Sequence, residues 1–336
     1  MPTCVVTGGA GFIGSNFVRL ALDQRPDLRI VTVDLLTYAG NLENLRGVPQ
    51  DRHTFVRADI TDSGAVRQAV PEGADGLVNF AAETHVDRSI LGPLAFVRTN
   101  VTGTQVLLDV ARERGVGRFL QVSTDEVYGA LGPGDAAFTE DHPLRPSSPY
   151  AASKAAADLL VRAAHHTYGQ DAVITRCSNN YGPYQFPEKL IPLMLTNALE
   201  DEPLPVYGDG QQVRDWIFTD DHSRAILAVL DGGRPGAVYN IGARSERKNL
   251  DVVRQILAAV GKPESLIRYV EDRPGHDRRY AIDPARVETE LGWRPQVPFE
   301  DGLARTVAWY RENEGWWRRV KDGSYRDFYE AWYGGR

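Results

Sequence analysis

The chain has 336 residues, of which 42% are hydrophobic and 25% are charged, and its formal net charge is −7. These values are typical of a globular protein, and the length suits one large domain with a smaller partner. The acidic balance disfavours a nucleic-acid partner, because duplex binding normally needs a basic face.

The N-terminus enters a strand pattern at once and lacks the basic segment that starts a signal peptide. No apolar run is long enough to span a bilayer, so no membrane partner is expected. The two cysteines, Cys4 and Cys177, lie in apolar strand patterns and are expected to be core thiols. These features predict a cytoplasmic protein, and no metal site is expected.

Short apolar strands alternate with helical patterns through the first half of the chain. Strands are predicted at residues 3–7, 29–34, 54–59, 77–82, 119–124 and 172–178, and helices at 12–22, 62–70, 94–114 and 148–168. Such alternation is typical of a parallel sheet that is covered by helices on both faces. The predicted fold class is α/β, with a Rossmann-type doubly wound parallel sheet.

The pattern changes after about residue 180. Shorter strands are predicted at 204–207, 238–241 and 267–270, and helices at 221–230, 250–260, 284–291 and 300–313. We expect residues 1–180 to form the larger domain and residues 181–336 to form mainly a smaller mixed α/β domain. The boundary is soft, because segments of the second part can return to the first domain.

A glycine-rich turn with Gly8, Gly11 and Gly14 connects the first strand to the first helix. A tight turn, the close approach of backbone to a pyrophosphate and close helix–strand packing each need a residue without a side chain. The helix N-terminus then offers free N–H groups to the phosphates. This order of strand, turn and helix predicts a dinucleotide site.

Two strand ends carry carboxylates that bear on the choice of dinucleotide. Asp34 ends the second strand, twenty residues after Gly14. A carboxylate there accepts hydrogen bonds from the ribose hydroxyls and repels a 2′-phosphate, so NAD is favoured over NADP. Asp59 ends the third strand, with Ile60 behind it, and either contacts adenine or caps the helix that begins near Asp62.

The fifth strand ends at Thr124, and two acidic residues, Asp125 and Glu126, follow it. Ligands of open α/β sheets bind beyond the carboxyl ends of the strands, so these side chains are expected in the reaction zone. Adjacent carboxylates in a partly dry site repel each other, so one stays protonated while the other ionises. The pair therefore predicts an acid and a base.

Tyr150 and Lys154 lie four residues apart at the start of a long helix, so the phenol and the ammonium share one face. A free tyrosine titrates near ~10 and is a poor base at neutral pH. The ammonium and the positive nicotinamide of NAD⁺ both favour the phenolate. On its own, the spacing of Tyr150 and Lys154 fits an amphipathic pair on a helix surface. Because a predicted dinucleotide site precedes the pair in the chain, the pattern predicts a catalytic base.

The chain resembles the dTDP-glucose 4,6-dehydratases, which are extended members of the short-chain dehydrogenase/reductase superfamily. The resemblance covers nearly the whole chain and rests on the glycine turn, Asp34 and residues 36–41, 81–89, 123–129, 150–154, 178–184, 186–192, 214–216 and 272–280. Its specific element is the triplet Thr124-Asp125-Glu126, because related 4-epimerases and decarboxylases are similar elsewhere but lack this pair of acids.

The resemblance implies dehydration of a nucleotide-linked glucose. Tyr150, beside Lys154, takes the proton of the 4-hydroxyl while C4 passes hydride to NAD⁺, and Thr124 holds the same hydroxyl region. Glu126 then removes the C5 proton, and Asp125 protonates the leaving C6 hydroxyl. Hydride then returns to C6 and a proton returns to C5, so the net chemistry is loss of water. The family is usually dimeric, and the helices near 94–114 and 150–168 are apolar enough to pair with a second subunit.

The resemblance also implies two sets of contacts. The first part of the chain is the NAD-binding domain, with contacts from Gly8, Gly11, Phe12, Ile13, Gly14, Asp34, Leu35, Thr37, Asp59, Ile60, Ala81, Ala82, Thr99, Tyr150, Lys154 and Asn180. The second part mainly binds the nucleotide sugar, with contacts from His85, Thr124, Asn179, Lys189, Leu190, Pro205, Tyr207, Arg214, Asn249, Arg273 and His276. Arg214 and Arg273 are the natural bidentate ligands of the diphosphate, unless they are surface arginines.

One position departs from the family pattern. Members often have lysine after the aspartate at the second strand end, whereas this chain has Leu35, so its adenosine contact is expected to differ. The sequence leaves two alternatives open. One is a related enzyme acting on another nucleotide sugar such as UDP-glucose, and the other is a non-catalytic NAD-binding regulator on the same fold.

Overall fold

A computed structural model of the chain describes residues 1–272 and 275–321. The strands in this part of the chain are β1 (Thr3–Thr7), β2 (Arg29–Asp34), β3 (His53–Arg57), β4 (Gly76–Asn79), β5 (Arg118–Thr124), β6 (Ala172–Cys177), β7 (Asn179–Tyr181), β8 (Leu204–Tyr207), β9 (Val213–Phe218), β10 (Val238–Ile241), β11 (Glu246–Lys248) and β12 (Ile267–Val270). The α-helices are α1 (Phe12–Gln24), α2 (Ser63–Ala69), α3 (Val86–Leu91), α4 (Pro93–Phe96), α5 (Thr104–Glu113), α6 (Pro149–Tyr168), α7 (Leu190–Leu199), α8 (Thr219–Gly232), α9 (Asn249–Val260), α10 (Ala285–Leu291), α11 (Phe299–Glu312) and α12 (Glu314–Lys321).

Seven strands form one parallel sheet in the order β10-β6-β5-β4-β1-β2-β3. One face packs on residues of α1 and α8 such as Phe17 and Ile226, and the other on residues of α2, α5 and α6 such as Leu107 and Val161. Because the strand order reverses between β1 and β4, a crevice opens beyond their carboxyl ends, where such sheets bind ligands. The predicted doubly wound α/β fold is confirmed.

A smaller lobe is built on two short sheets, β11-β9-β7 and β12-β8. Its core joins α7, α9, α11 and α12 through residues such as Leu195, Ile256, Tyr310 and Trp317. The chain passes between the lobes more than once, since β7 begins two residues after β6 and β10 returns to the large sheet. The division of the chain near residue 180 stays a prediction.

Several predicted bounds were wrong, because strands end earlier and one helix is less regular than the apolar pattern indicates. β3 ends at Arg57 and β4 at Asn79, so Asp59 and residues 80–82 lie in loops above the sheet. The helix predicted at 94–114 is interrupted by a wide π-helical turn, Val97–Gly103. This turn aims the Asn100 side chain at the backbone N–H and carbonyl of Glu83, at 2.9 and 3.0 Å. Wide turns of this kind are frequent at functional sites.

No helix among residues 1–272 and 275–321 is both long enough and apolar enough to cross a membrane.

The stability of the fold is expected to depend on pH through His222 in α8. The side chain is fully buried, and burial lowers its pKa from 6.5 to about 3. A ring that stays neutral when folded but protonates when unfolded stabilises the protein above pH 6.5, and this contribution is lost as the pH falls towards 3. At one pH unit below 6.5, protonation of His222 in the unfolded chain should lower the free energy of unfolding by about 1.4 kcal/mol.

Denaturant unfolding at pH 7.5 and 5.5 measures this cost. His222→Leu should reduce the difference in unfolding free energy between the two pH values, whereas His166→Gln, at an exposed histidine, should leave it unchanged. An equal pH dependence in wild type and His222→Leu would rule His222 out as the cause.

Candidate active site

The glycine turn brings backbone groups together too closely for side chains. Gly8 has φ +69°, and a Cβ there would lie 2.6 Å from the Ala81 nitrogen. A Cβ on Gly14 would lie 2.3 Å from the Gly8 carbonyl oxygen. Gly11 is the N-cap of α1 and offers no side chain to the first N–H groups of Phe12 and Ile13. The helix end is therefore suited to a phosphate group.

Asp34 ends β2 next to this turn and is buried, with 8% of its surface exposed. Its carboxylate accepts hydrogen bonds from the Ala10 nitrogen at 3.0 Å and the Leu36 nitrogen at 2.8 Å. Burial raises the pKa of Asp34, and these two hydrogen bonds oppose the rise. Leu35 and Thr37 are exposed beside it.

Asp59 does not cap the following helix. Its Oδ1 accepts a hydrogen bond from the Thr61 nitrogen at 2.8 Å, whereas Asp62 is the N-cap of α2 and accepts from Gly64 and Ala65. The capping alternative was therefore wrong, because Asp62 is the N-cap of α2 and accepts from its first free N–H groups. Ile60 is buried, and a Cβ on Gly103 would lie 2.5 Å from its Cδ1.

The residues after β5 form a short 3₁₀ turn, Asp125–Tyr128, that carries two carboxylates. Thr124 is its N-cap: its Oγ1 accepts from the Glu126 nitrogen at 3.3 Å and donates to Oδ1 of Asp125 at 3.3 Å. The turn ends at Gly129, where φ is +88° and a Cβ would lie 2.4 Å from the Arg145 carbonyl oxygen. The chain therefore holds both carboxylates in the crevice above β5.

The two carboxylates differ in environment. Asp125 is 2% exposed, and within the described residues its Oδ2 accepts no hydrogen bond. Burial raises its pKa well above the usual value, and the charges of Glu126 and Asp215 raise it further. Glu126 is half-buried. Burial and the neighbouring charges therefore favour the protonated form of Asp125, which acid–base chemistry by a pair of carboxylates needs in one member.

Tyr150 and Lys154 lie in the first turns of α6 and face the same crevice. Ser148 caps this helix by accepting from the Ala151 nitrogen at 3.1 Å. Burial raises the pKa of Tyr150 well above its usual value, the Glu126 charge raises it further, and a hydrogen bond with Thr124 opposes the rise. Tyr150 therefore shares Thr124 with the carboxylate turn.

In the protein without NAD⁺, burial and nearby carboxylates act more strongly on the pKa of Tyr150 than Lys154 does. Lys154 is buried, which lowers its pKa, and its Nζ donates to the Val122 carbonyl at 2.7 Å. The charges that act on Tyr150 are those of carboxylates and Cys177, and they disfavour the phenolate. Stabilisation of the phenolate by Lys154 together with the nicotinamide of NAD⁺ stays a prediction.

Arg214 on β9 lies beneath the carboxylate turn and is not a surface arginine. It is 5% exposed, donates to the Val213 and Asp277 carbonyls at 2.8 and 2.9 Å, and lies 4.3 Å over the Tyr280 ring. Its charge lowers the pKa of Asp125, against the larger effect of burial. Arg214 therefore links the small lobe to the carboxylates of the large one.

The other predicted substrate contacts fall into linked groups across the crevice. Lys189 donates to the Thr84 carbonyl at 3.0 Å, next to His85. Tyr207 donates to Asp87 at 2.9 Å and meets the His276 ring edge-on at 5.8 Å.

Four further predicted contacts lie elsewhere in the two lobes. Asn179 opens β7, Leu190 opens α7, Pro205 is buried in β8, and Asn249 opens α9. Arg273 lies outside the described residues.

Sequence reasoning gave no individual role to several residues that the fold places in this crevice. Glu188 is buried and pairs with Arg88 at 3.0 Å. Asp215 is 1% exposed, accepts from the Ala243 and Ser245 nitrogens, and raises the pKa of Asp125. Tyr280 packs beneath Arg214. Each of the three stands next to a basic residue in the sequence, and this local pattern does not indicate where the fold places its side chain.

Three observations indicate that the residues around the glycine turn fit NAD. The glycine turn leaves no room for a side chain above a helix N-terminus. Asp34 places a carboxylate at the adjacent strand end. Oδ1 of Asn180 is buried and has no hydrogen-bond partner among the described residues, so it can accept from a ligand. In the same part of the chain, no group of three or more potential ligands could hold a metal ion.

Comparisons with known proteins show which family the chain belongs to. The family described as GDP-mannose 4,6 dehydratase matches residues 5–306. A dTDP-glucose 4,6-dehydratase from Xanthomonas campestris pv. campestris is 55% identical over 97% of this chain and 98% of its own length. The structure of DesIV, a dTDP-glucose 4,6-dehydratase from Streptomyces venezuelae with NAD and TYD bound, is 54% identical, with a TM-score of 0.92 and coverage of 95% of this chain and 100% of that chain. The structure of a dTDP-glucose 4,6-dehydratase from Bacillus anthracis in complex with NAD is 47% identical, with a TM-score of 0.88. It covers 96% of this chain and 100% of that chain.

The sheet, the glycine turn and the Tyr150–Lys154 pair define the chain as a dinucleotide-dependent enzyme of the extended short-chain dehydrogenase/reductase class. Within that class, the chain belongs to the dTDP-glucose 4,6-dehydratase family. The predictions of the family, of an NAD-dependent lyase and of NAD as the cofactor are confirmed at this level.

Proposed function

We propose that this protein converts dTDP-glucose to dTDP-4-keto-6-deoxyglucose by removing water across C5 and C6. The observation that carries the proposal is the placement of Asp125 and Glu126 on one turn beside Thr124 and Tyr150, beyond a dinucleotide turn. A site for simple oxidation and reduction has no use for two such carboxylates. Bound NAD supplies the acceptor for hydride from C4 and the donor of hydride to C6.

We assign the cofactor site to residues around the crevice between β1 and β4. Asp34 receives the ribose hydroxyls, the N-terminus of α1 receives the pyrophosphate, and Asp59 with Ile60 lies on the adenine side. The full set is Gly8, Gly11, Phe12, Ile13, Gly14, Asp34, Leu35, Thr37, Asp59, Ile60, Ala81, Ala82, Thr99, Tyr150, Lys154 and Asn180. Supporting it, Ala81 lies against Gly8, and Asn100, next to Thr99, fixes the backbone of Glu83.

Tyr150 takes the proton of the sugar 4-hydroxyl, and Thr124 hydrogen-bonds the same oxygen. Burial and nearby carboxylates raise the pKa of the Tyr150 phenol. Its phenolate is therefore a stronger base, but the phenol needs a compensating positive charge to ionise. Lys154 supplies part of that charge from the same helix face. Its hydrogen bond to the Val122 carbonyl fixes the ammonium near the end of β5.

Asp125 is the acid and Glu126 is the base of the elimination. A carboxyl group that burial keeps protonated can donate to the leaving C6 hydroxyl, and its unpartnered Oδ2 faces no competing donor among the described residues. The half-buried Glu126 can ionise and remove the C5 proton, which the neighbouring 4-keto group makes acidic. A proton returns to C5 when hydride adds to C6. Asp215 supports this division of roles by disfavouring a charge on Asp125.

We assign the nucleotide and its diphosphate to the lobe around β8, β9 and α7, with residues 181–336 as the main nucleotide-sugar-binding domain. Arg214 and Arg273 hold the diphosphate, and the remaining contacts come from His85, Asn179, Lys189, Leu190, Pro205, Tyr207, Asn249 and His276. Buried amide oxygens of Asn179 and Asn249 that lack partners among the described residues support this assignment, since they can accept from ligand hydroxyl or imide groups.

We also propose that the enzyme is a cytoplasmic homodimer. Leu94 in α4, Val97 in the π-helical turn and Leu159 in α6 are 77%, 47% and 55% exposed. Both α4 and the π-helical turn pack on α6. A second copy would cover this apolar face. Leu94→Asp with Leu159→Asp should shift the mass in solution from dimer to monomer, whereas Tyr269→Asp, at an exposed aromatic on β12, should not.

Turnover on dTDP-glucose, UDP-glucose and GDP-mannose tests the assigned activity. We expect the highest kcat/KM on dTDP-glucose, with a 4-keto-6-deoxy product. A higher value on UDP-glucose would reassign the nucleotide. NAD binding without turnover of any of the three would favour the non-catalytic regulator.

A further inference from the structure

The last described helix of the small lobe reaches the glycine turn of the large lobe through one tryptophan. In α12, Nε1 of Trp316 donates a hydrogen bond to Oδ1 of Asn44 at 2.9 Å. Nδ2 of the same Asn44 side chain donates to the Ala10 carbonyl, also at 2.9 Å. Trp316, Asn44 and Ala10 are 7%, 1% and 0% exposed, so water does not compete with either bond.

These bonds fix the orientation of the peptide groups in the glycine turn. The Asn41 nitrogen also donates to the Ala10 carbonyl at 3.0 Å, and the Ala10 nitrogen donates to Asp34 at 3.0 Å. Both polar backbone groups of Ala10 are therefore held by the protein. Ala10 lies between Gly9 and Gly11, whose backbone would otherwise be free to rotate.

The helix is held against this segment by further contacts. Arg319 donates to Glu43 through Nε at 3.1 Å and Nη2 at 2.6 Å. The Trp316 ring packs edge-on against Trp309 at 5.1 Å and Tyr184 at 6.0 Å. The tryptophan N–H is thus aimed by an aromatic cluster of the small lobe.

We propose that Trp316 and Asn44 are positioning residues for the cofactor, and that α12 locks the glycine turn in the conformation that retains NAD. The inference rests on the proposed NAD site. Its physical basis is that an enzyme that regenerates its cofactor within each turnover gains nothing by releasing it. Holding the turn from the substrate lobe slows release without adding a contact to NAD itself.

Trp316→Phe tests the proposal, because it keeps an aromatic ring but removes the N–H donor. The matched control is Trp317→Phe in the same helix, since Trp317 is 1% exposed and donates to the Tyr310 carbonyl at 2.9 Å, away from Asn44. We measure NAD release from the holoenzyme into a trapping excess of an NAD-binding protein, together with the KM for dTDP-glucose and the thermal midpoint.

Trp316→Phe should release NAD about three- to thirtyfold faster than wild type, as expected for residues coupled in one hydrogen-bond network. Its KM for dTDP-glucose should stay near the wild-type value. Trp317→Phe should lower the thermal midpoint by a similar amount but release NAD at the wild-type rate. Equal acceleration in both variants, or none in Trp316→Phe, overturns the proposal.

Asn44→Ala removes the other side chain of the hydrogen-bonded path from Trp316 to Ala10. It tests the proposal independently if the tryptophan variant fails to fold. It should accelerate NAD release, and adding Trp316→Phe should produce little further change, because both substitutions interrupt one path. Multiplicative effects would contradict the single path. Wild-type protein that does not hold NAD would instead contradict the proposed function.

Discussion

Tyr150→Phe is expected to abolish hydride transfer from C4 while NAD stays bound. Oxidation at C4 cannot proceed unless the 4-hydroxyl loses its proton, and loss of a general base typically costs about 10²–10⁴-fold in rate. The phenol lies at the start of α6 and shares Thr124 with the carboxylate turn, whereas the glycine turn is built from other segments. Rapid mixing with dTDP-glucose should therefore show no absorbance of reduced nicotinamide.

Tyr239→Phe is the matched control for this variant. Tyr239 is fully buried and donates to Glu290, so its substitution also removes a buried phenol, but from the outer strand β10. It should lower stability and leave hydride transfer intact. Near-normal turnover of Tyr150→Phe would mean that another group is the base.

Asp125→Asn and Glu126→Gln are expected to block elimination after oxidation has occurred. An amide at 125 cannot protonate the leaving hydroxyl, and an amide at 126 cannot remove the C5 proton, so each should slow elimination about 10²–10⁴-fold. Both variants should accumulate reduced nicotinamide, because C4 oxidation needs neither carboxylate. Only Glu126→Gln should also prevent exchange of the C5 hydrogen with solvent deuterium.

Glu140→Gln provides the control for loss of a buried carboxylate outside the crevice. Glu140 is 9% exposed, and its Oε1 accepts from the Asn240 nitrogen, a bond that an amide oxygen can keep. This variant should eliminate water at the wild-type rate. The double variant of Asp125 and Glu126 should be less than additive if the two groups act in one concerted step. Elimination at the parent rate in either single variant would remove that residue from the proposed mechanism.

The large sheet and the dinucleotide turn could be predicted from the sequence because their signals are local. Gly8 follows β1, Gly14 lies in the first turn of α1 and Asp34 ends β2. The geometry that requires them is set within a few residues. The triplet at 124–126 was predictable for the same reason. Strand ends of a parallel sheet meet at one edge, so the site's location follows from the strand pattern.

Residues brought in by the small lobe could not be placed in this way. Arg214, Tyr280 and Glu188 reach the crevice from β9, a loop and the turn that precedes α7, which are distant in sequence. The wide turn at 97–103 looks like continuous helix in the sequence, because a single inserted residue does not disturb the apolar pattern. The bond from Trp316 to Asn44 spans the two lobes, so no local pattern could have predicted it.

The most direct test of the account uses dTDP-glucose that carries deuterium at C4. If Tyr150, Asp125 and Glu126 act as proposed, the product has lost one water, carries a 4-keto group and holds the deuterium at C6. Transfer within one site would leave no deuterium in solvent or in added NAD. Deuterium found again at C4, in a sugar that has kept its C6 hydroxyl, would contradict the dehydratase assignment and indicate an epimerase.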